Sequence, residues 1–176
     1  MISIRPATLS DIPAIARIYS GSVINGTATF ELEPPPETEM AERMRNLLDA
    51  GFPYLAAGWN SVVAGYAYAA AYRIRPAYRF TVENSVYVSP TVQRRGVGRA
   101  LLNALIEESA KRGFRQMIAV IGDSPNQVAS VTLHKGASFR VVGTLEDVGF
   151  KHGRWLDSLL MQRALGEGVS SLPENP

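Results

Sequence analysis

"NSVYVSPTVQRRGVGRALLNAL", residues 84–105, decides how the rest of the chain is read. A β-branched run leads into Ser89-Pro90. Two arginines and two spaced glycines follow, and then a leucine-rich segment. Period-two apolar residues before the break and helix-spaced leucines after it predict a strand, a turn and a helix from about Gly98 to Arg112, capped by Gly113. A helix start presents free backbone N–H groups and the positive end of the helix dipole. Glycines there let a phosphate approach the main chain closely. Gly96 and Gly98 are so placed, and Arg94, Arg95 and Arg99 add charge. The spacing alone leaves two readings open: an anion cradle, or a tight turn carrying solvated arginines.

Two phosphate motifs are excluded. A dinucleotide fingerprint needs glycine directly after the strand and Gly or Ala at position 101, which is Leu101. A P-loop needs a terminal Gly-Lys-Ser/Thr, which is absent.

Outward from this stretch, "ISIR" alternates like a short strand. "TLSDIPAIARIYS" places Leu9, Ile12, Ile15, Ala16 and Tyr19 on one helical face, with Thr8 or Ser10 as the N-cap. "SVINGTATFELEPPP" reads as a loop. "ETEMAERMRNLLDAG" repeats the helical pattern through Met40, Met44, Leu47 and Leu48, and Gly51 stands at its C-terminal end. "YLAAG" and "VVAGYAYAAAY" flank Trp59-Asn60-Ser61 as a hairpin. "RIRPAYR" is a basic, proline-broken loop, and "FTVENSVYV" is the strongest strand signal. "QMIAVI" reads as a buried strand, "NQVASVTLHK" as a short helix, and "FRVVGTLEDVGF" and "RWLDSLLMQ" as a strand pair across "KHG". The order is strand, two helices, three strands, helix, strand, helix, two strands. That is no clean alternation, so an α/β (α+β) fold with a mixed sheet is expected. Residues 1–165 are expected to form one domain and 166–176 a flexible tail.

The composition narrows the function. Of 176 residues 46% are hydrophobic and 19% charged, which fits a globular chain. The net charge is only +2, so no strong field draws the chain to nucleic acid. Yet 15 of the 18 basic residues are arginine, which suits bidentate pairing with phosphate or carboxylate. Cysteine is absent, which excludes a thiol nucleophile and a thiolate metal site, and no metal is expected. The N-terminus lacks the pattern of a signal peptide, and the longest apolar run, 62–72, is about half a bilayer span. A cytoplasmic protein without membrane or nucleic-acid partners is expected.

"VYVSPTVQRRGVGRALL" resembles the acetyl-coenzyme-A signature of the GNAT N-acetyltransferase superfamily, Q/R-x-x-G-x-G/A, as Gln93-Arg94-Arg95-Gly96-Val97-Gly98. "IRPATLSDIPAIARIY" resembles the superfamily's opening strand and helix. "NGTATFE", "AYRIRPAYRFTVENSVYVSP", "AVIGDSPNQVASVTLHK" and "VGFKHGRWLD" resemble the branch containing phosphinothricin and methionine sulfoximine acetyltransferases. Together these matches span most of residues 2–163. The resemblance implies a mostly antiparallel sheet of about seven strands flanked by about four helices.

Acetyl transfer to an amine needs a base, because an ammonium has no lone pair. The thioester oxygen needs a donor as the tetrahedral intermediate forms, and the departing thiolate needs a proton. The resemblance implies that the acetyl-CoA pyrophosphate sits on Arg94, Arg95, Gly96, Val97, Gly98 and Arg99. The pantetheine arm would run along Val86, Tyr87 and Val88, on a strand that splays from its neighbour. Backbone N–H of Val88 would be the thioester donor, and Asn126 and Ser130 would contact the cofactor. Glu83 is the candidate base, in an apolar strand that would raise its pKa, against the alternative of a structural charge. His134 is the candidate acid, against a helix-surface role; "HKGASF" departs from the branch's usual Leu-Gly-Phe/Tyr ending. Arg73 and Arg75 could hold a substrate carboxylate, with Thr27, Phe30 and Glu31 on the opposite wall. His152, Trp155 and Asp157 are read as structural or peripheral, and the protein as a homodimer.

Three readings compete with a small amino-acid acceptor: a protein N-terminus, lysine or polyamine acceptor; a non-enzymatic basic domain; and a serine hydrolase suggested by "GDSPN". The last lacks the closing glycine of G-x-S-x-G and a matched downstream acid and histidine.

Overall fold

The computed structural model describes residues 1–60 and 62–173. The elements run β1 (Ile2–Pro6), α1 (Ile12–Asn25), α2 (Glu37–Asp49), β2 (Tyr54–Trp59), β3 (Val62–Ala71), β4 (Thr81–Val88), α3 (Val97–Lys111), β5 (Gln116–Gly122), α4 (Val128–Gly136), β6 (Arg140–Lys151) and β7 (Arg154–Ala164). This is the order expected from the sequence. The seven strands form one sheet, β1-β2-β3-β4-β5-β7-β6. Every neighbouring pair is antiparallel except β4 with β5.

Alternation along the central strands creates two cores, one on each sheet face. On one face Val82, Ala67 and Met117 pack with Leu101, Leu102 and Leu105 of α3, all fully buried. On the other, Tyr54, Ala56 and Tyr66 pack with Ile15, Val23, Met40 and Met44 of α1 and α2. Tyr54, Tyr66 and Tyr68 lie with their rings nearly parallel, 5.1–6.4 Å between centroids.

Local details differ from the sequence reading in three places. Residues 9–11 form a 3-10 turn before α1, which rotates Leu9 off the apolar face and leaves it exposed. Thr8, not Ser10, opens that turn, and its N–H donates to the Asp11 carboxylate at 2.8 Å. Leu48 stays on the outer side of α2 while Met40 and Met44 face the core. The hairpin between β2 and β3 includes Ser61, which lies outside the described residues. Of the expected tail, residues 166–173 are described: Arg115 donates to the Leu172 carbonyl at 3.3 Å and lies 3.7 Å from Glu167. Glu174, Asn175 and Pro176 lie outside the described residues.

Candidate active site

The parallel ladder between β4 and β5 is short. It runs from Thr81↔Gln116 to Asn84↔Ala119 and stops, although both strands continue. Beyond it β5 pairs only with β7, down to Gly122↔Ser158. β4 pairs only with β3, as far as Gly65↔Val88. The two middle strands therefore part at Asn84.

The main-chain groups that face this gap follow from the antiparallel pattern. Tyr72 N–H donates to Thr81 O at 3.2 Å, and Ser89 N–H donates to Ala64 O at 2.8 Å. Hydrogen-bonded pairs alternate along such a ladder, so Thr81, Glu83, Ser85 and Tyr87 spend their main-chain groups on β3. Val82 and Asn84 turn theirs toward β5 within the ladder. Val86 and Val88 turn theirs the same way, past the point where β5 answers.

Side chains on β4 divide by face. Val82, Val86 and Val88 join the α3 core, and Tyr87 packs with Tyr19 and Tyr66 on the α1/α2 side. Glu83 has the parity of Tyr87, so its carboxyl stands on the α1/α2 side. Burial pushes its pKa above the ordinary carboxylate value.

The glycine–arginine loop follows β4. Gly96 adopts φ +85°, a left-handed conformation that glycine takes without strain, and caps α3. α3 starts at Val97, one residue earlier than the sequence reading. Gly98 lies beside Val88 and Leu133, so the helix start adjoins the open edge of β4. Arg94, Arg95 and Arg99 are exposed, with the Arg95 guanidinium 5.6 Å from the Trp59 ring centroid.

His134 lies on α4, on the α3 side of the gap, and is buried. Its Nδ1 is 2.8 Å from the Ser130 carbonyl oxygen, and its Nε2 is 3.0 Å from Asn84 Oδ1. Asn84 Nδ2 in turn donates to the Ile118 carbonyl at 3.1 Å. His134 is thus moored at the apex where the strands part. Burial pushes its pKa down, and the Ser130 carbonyl acts against that.

The remaining sequence-picked residues fall into two groups. Arg73 and Arg75 are exposed on the loop before β4, with Arg73 5.1 Å from the Tyr72 ring centroid. Thr27, Phe30, Glu31 and Asn126 are tied to the scaffold. Thr27 Oγ1 donates to Asp123 Oδ2 at 2.6 Å, and Asn126 Nδ2 donates to Asp123 Oδ1 at 3.0 Å. The Phe30 ring lies against Gly122 and Gly149, where any β-carbon would collide with it. Glu31 pairs with Arg43 at 2.6 Å. Ser130 enters through its carbonyl, on His134.

Asp123 and Asn84, two buried polar residues that tie site elements together, were missed by the sequence reading. Asp123, held down to about 2 by Arg154, joins the α1–α2 connection to β5 and β7. Asn84 links β4, β5 and α4. A signal for Asn84 existed: it interrupts a row of valines, 82, 86 and 88, at a core-facing position.

The site thus combines an open strand edge, a glycine-capped helix start beside it and a part-buried carboxyl on the opposite face of the same strand. A family model described as the acetyltransferase (GNAT) domain matches residues 4–160. The chain belongs to the GNAT acetyltransferase family. It is 49% identical over 172 residues to a phosphinothricin N-acetyltransferase of Alcaligenes faecalis, covering 98% of this chain and 87% of that one. It is 38% identical to an L-methionine sulfoximine/L-methionine sulfone acetyltransferase of Salmonella typhimurium, over 94% and 96% of the two chains. Its fold matches the crystal structure of a GNAT phosphinothricin acetyltransferase from Sinorhizobium meliloti in complex with AcCoA, with a TM-score of 0.96, 46% identity and coverage of 99% and 94%. This GNAT protein is thus an N-acetyltransferase. Among its described residues no group of three or more His, Asp or Glu is placed to hold a metal ion, and no helix is long and apolar enough to cross a membrane.

Proposed function

We propose that the protein transfers an acetyl group from acetyl-CoA to the α-amine of a small amino-acid analogue of the phosphinothricin, methionine sulfoximine or methionine sulfone type. The observation that carries this is the end of the β4–β5 ladder at Asn84. The residues present fit the donor. Val86 and Val88 offer main-chain N–H and C=O groups to an amide-bearing arm, and the start of α3 offers N–H groups and arginines to a pyrophosphate. When bound, acetyl-CoA supplies an activated thioester.

Residue roles follow from position. Gly96, Val97 and Gly98 receive the pyrophosphate on main-chain N–H groups, with Arg94, Arg95 and Arg99 adding charge. Glu83, on the opposite face, takes the proton from the incoming ammonium, directly or through a water. At about 3.3 Å per residue, Val86 lies about 10 Å along the strand from Glu83 and Val88 about 17 Å. Base and oxygen donor serve one amine–thioester pair, so the spacing favours Val86 N–H as the group that polarises the thioester over the Val88 N–H that the resemblance implied, and Val88 holds the arm beyond it. His134 stands at the gap's apex, where the thiolate departs.

Arg75, and with it Arg73, holds the acceptor carboxylate. Arg75→Ala should raise KM for amino-acid acceptors about 10- to 100-fold with a smaller change in kcat, since one charge-assisted contact is worth about 1.5–3 kcal/mol. An unchanged KM would remove Arg75 from the acceptor site. We also propose a homodimer in the cytoplasm, where acetyl-CoA is available. Val141, Val142, Leu145, Val148, Phe150 and Trp155 leave an apolar surface on β6 and β7, which supports self-association.

The test is acetyl-CoA consumption against a panel of amino acids, sulfoximines, phosphinothricin, polyamines and peptides. Turnover confined to small α-amines is expected. Turnover on peptides or polyamines alone would favour the other acceptor class, and none at all would refute the reading.

A further inference from the structure

The surroundings of His134 specify a protonation state. Ser130 O, 2.8 Å from Nδ1, is a carbonyl and can only accept. Asn84 presents Oδ1 to Nε2 at 3.0 Å, the amide orientation that its bond to the Ile118 carbonyl favours. Turning it would set Oδ1 against the Ile118 carbonyl, which now accepts from Nδ2 at 3.1 Å. Both ring nitrogens therefore face acceptors. A neutral imidazole has one N–H, so one nitrogen would press a lone pair against an oxygen inside a buried site. Only the doubly protonated ring satisfies every contact in the chain from Ile118 through Asn84 and His134 to Ser130.

We propose that Asn84 is a positioning residue that holds His134 as an imidazolium at the apex of the β4–β5 gap, where its charge stabilises the departing thiolate until solvent protonates it. The proposal rests on the acetyl-transfer reading above. Direct proton donation would require the ring to break one of its two bonds, whereas a fixed charge needs no rearrangement. Burial opposes the charged form and on balance lowers the His134 pKa, with the Ser130 carbonyl acting against it. The geometry adds the Asn84 oxygen as a second acceptor. Among the described residues no neighbouring charge is aimed at the ring. Lys135, next along α4, is exposed. Glu83, next to Asn84 on β4, stands on the other sheet face. Arg163 of β7 donates to the Ala137 carbonyl, and Phe139 meets the ring edge-on with centroids 5.0 Å apart.

The chain has two histidines, which makes the test direct. Nitrogen-15 and proton NMR of the full chain across pH resolves His134 from His152, which lies in the exposed β6–β7 turn. Wild-type His134 should show both ring nitrogens protonated below its midpoint and no single-tautomer plateau until that midpoint is passed. Asn84→Leu should lower the His134 midpoint by about one unit, a tenfold loss of proton affinity, and leave His152 unchanged. Asn84→Asp should raise it above wild type. In kinetics, the high-pH limb of kcat should move with the same midpoint in each variant. An Nε2 lone pair in wild type at pH 6, or a midpoint unmoved in both variants, would overturn the proposal. Wild type and Asn84→Asp suffice should Asn84→Leu fail to fold. Midpoints that move as expected in a protein that consumes no acetyl-CoA would leave the linkage standing and sink the acetyl-transfer reading instead.

Discussion

Replacing Glu83 by glutamine should lower turnover at neutral pH by about 100-fold or more while leaving acetyl-CoA affinity nearly unchanged. The amide keeps the size and hydrogen-bonding reach of the side chain and removes its basicity. The two sheet faces separate the functions. Glu83 stands on the α1/α2 side, whereas the main-chain groups proposed for the donor belong to Val86 and Val88 and to the start of α3. A loss of donor binding equal to the loss of turnover would show that Glu83 is structural. The same substitution should stabilise the fold. Burial raises the Glu83 pKa in the native state, so between the unfolded and folded values the native chain binds more protons. Stability then falls as pH rises through that window. Glutamine removes the penalty, so Tm should rise at pH 7 and differ little near pH 4. Wild-type kcat/KM should have an acidic limb above the ordinary glutamate value, and Glu83→Gln should lack it. A residue that is both needed for turnover and costly to stability has the signature of a catalytic group.

Gly65→Ala should be a strongly disruptive single-methyl change at the open edge of β4. Gly65 pairs with Val88 across β3 and β4. A β-carbon there would lie 2.7 Å from the Tyr87 carbonyl oxygen, 3.1 Å from Leu101 Cδ1 and 3.3 Å from Val88 Cα. Two of these are main-chain atoms and the third belongs to a fully buried leucine, so nothing nearby yields cheaply. Overpacking of this kind costs about 1–3 kcal/mol. In a chain of this size that is a fall of several degrees in Tm, at about 2–4 °C per kcal/mol. The displaced segment is the open edge of β4, so acetyl-CoA affinity should fall as well. Gly21→Ala is the control: on α1, with nothing within 4 Å of the added carbon, it should leave both quantities unchanged or raise Tm slightly. Equal melting temperatures for Gly65→Ala and wild type would contradict the packing account.

The order of elements was legible because each carries its own period. "FTVENSVYV" alternates, "GRALLNALIEES" repeats at helical spacing, and Gly51 and Gly113 mark helix ends with positive φ. Leu9 was misplaced because a 3-10 turn changes the angular position of a residue without changing its neighbours in sequence. The parting of β4 and β5 was expected only from the family resemblance. No residue type announces it, since it depends on where β5 diverges from β4 while staying paired with β7 along its other edge. Pairings between distant polar residues were illegible for the same reason. Thr27 with Asp123 and Asn84 with His134 join positions 96 and 50 residues apart. What the sequence does hold is the anomaly: an asparagine among valines on the buried side of a strand, and one histidine in a short helix. The fold supplies the reason they belong together.

Amide hydrogen exchange on β4, with and without acetyl-CoA, tests most directly the claim that the open edge of this strand is the donor's cradle. The account predicts that the N–H groups of Val86 and Val88 exchange quickly in the free protein and are protected at saturating acetyl-CoA. Those of Ser85 and Tyr87, paired with β3, should be slow in both states. Exchange at Val86 and Val88 that is unchanged by bound acetyl-CoA would contradict it.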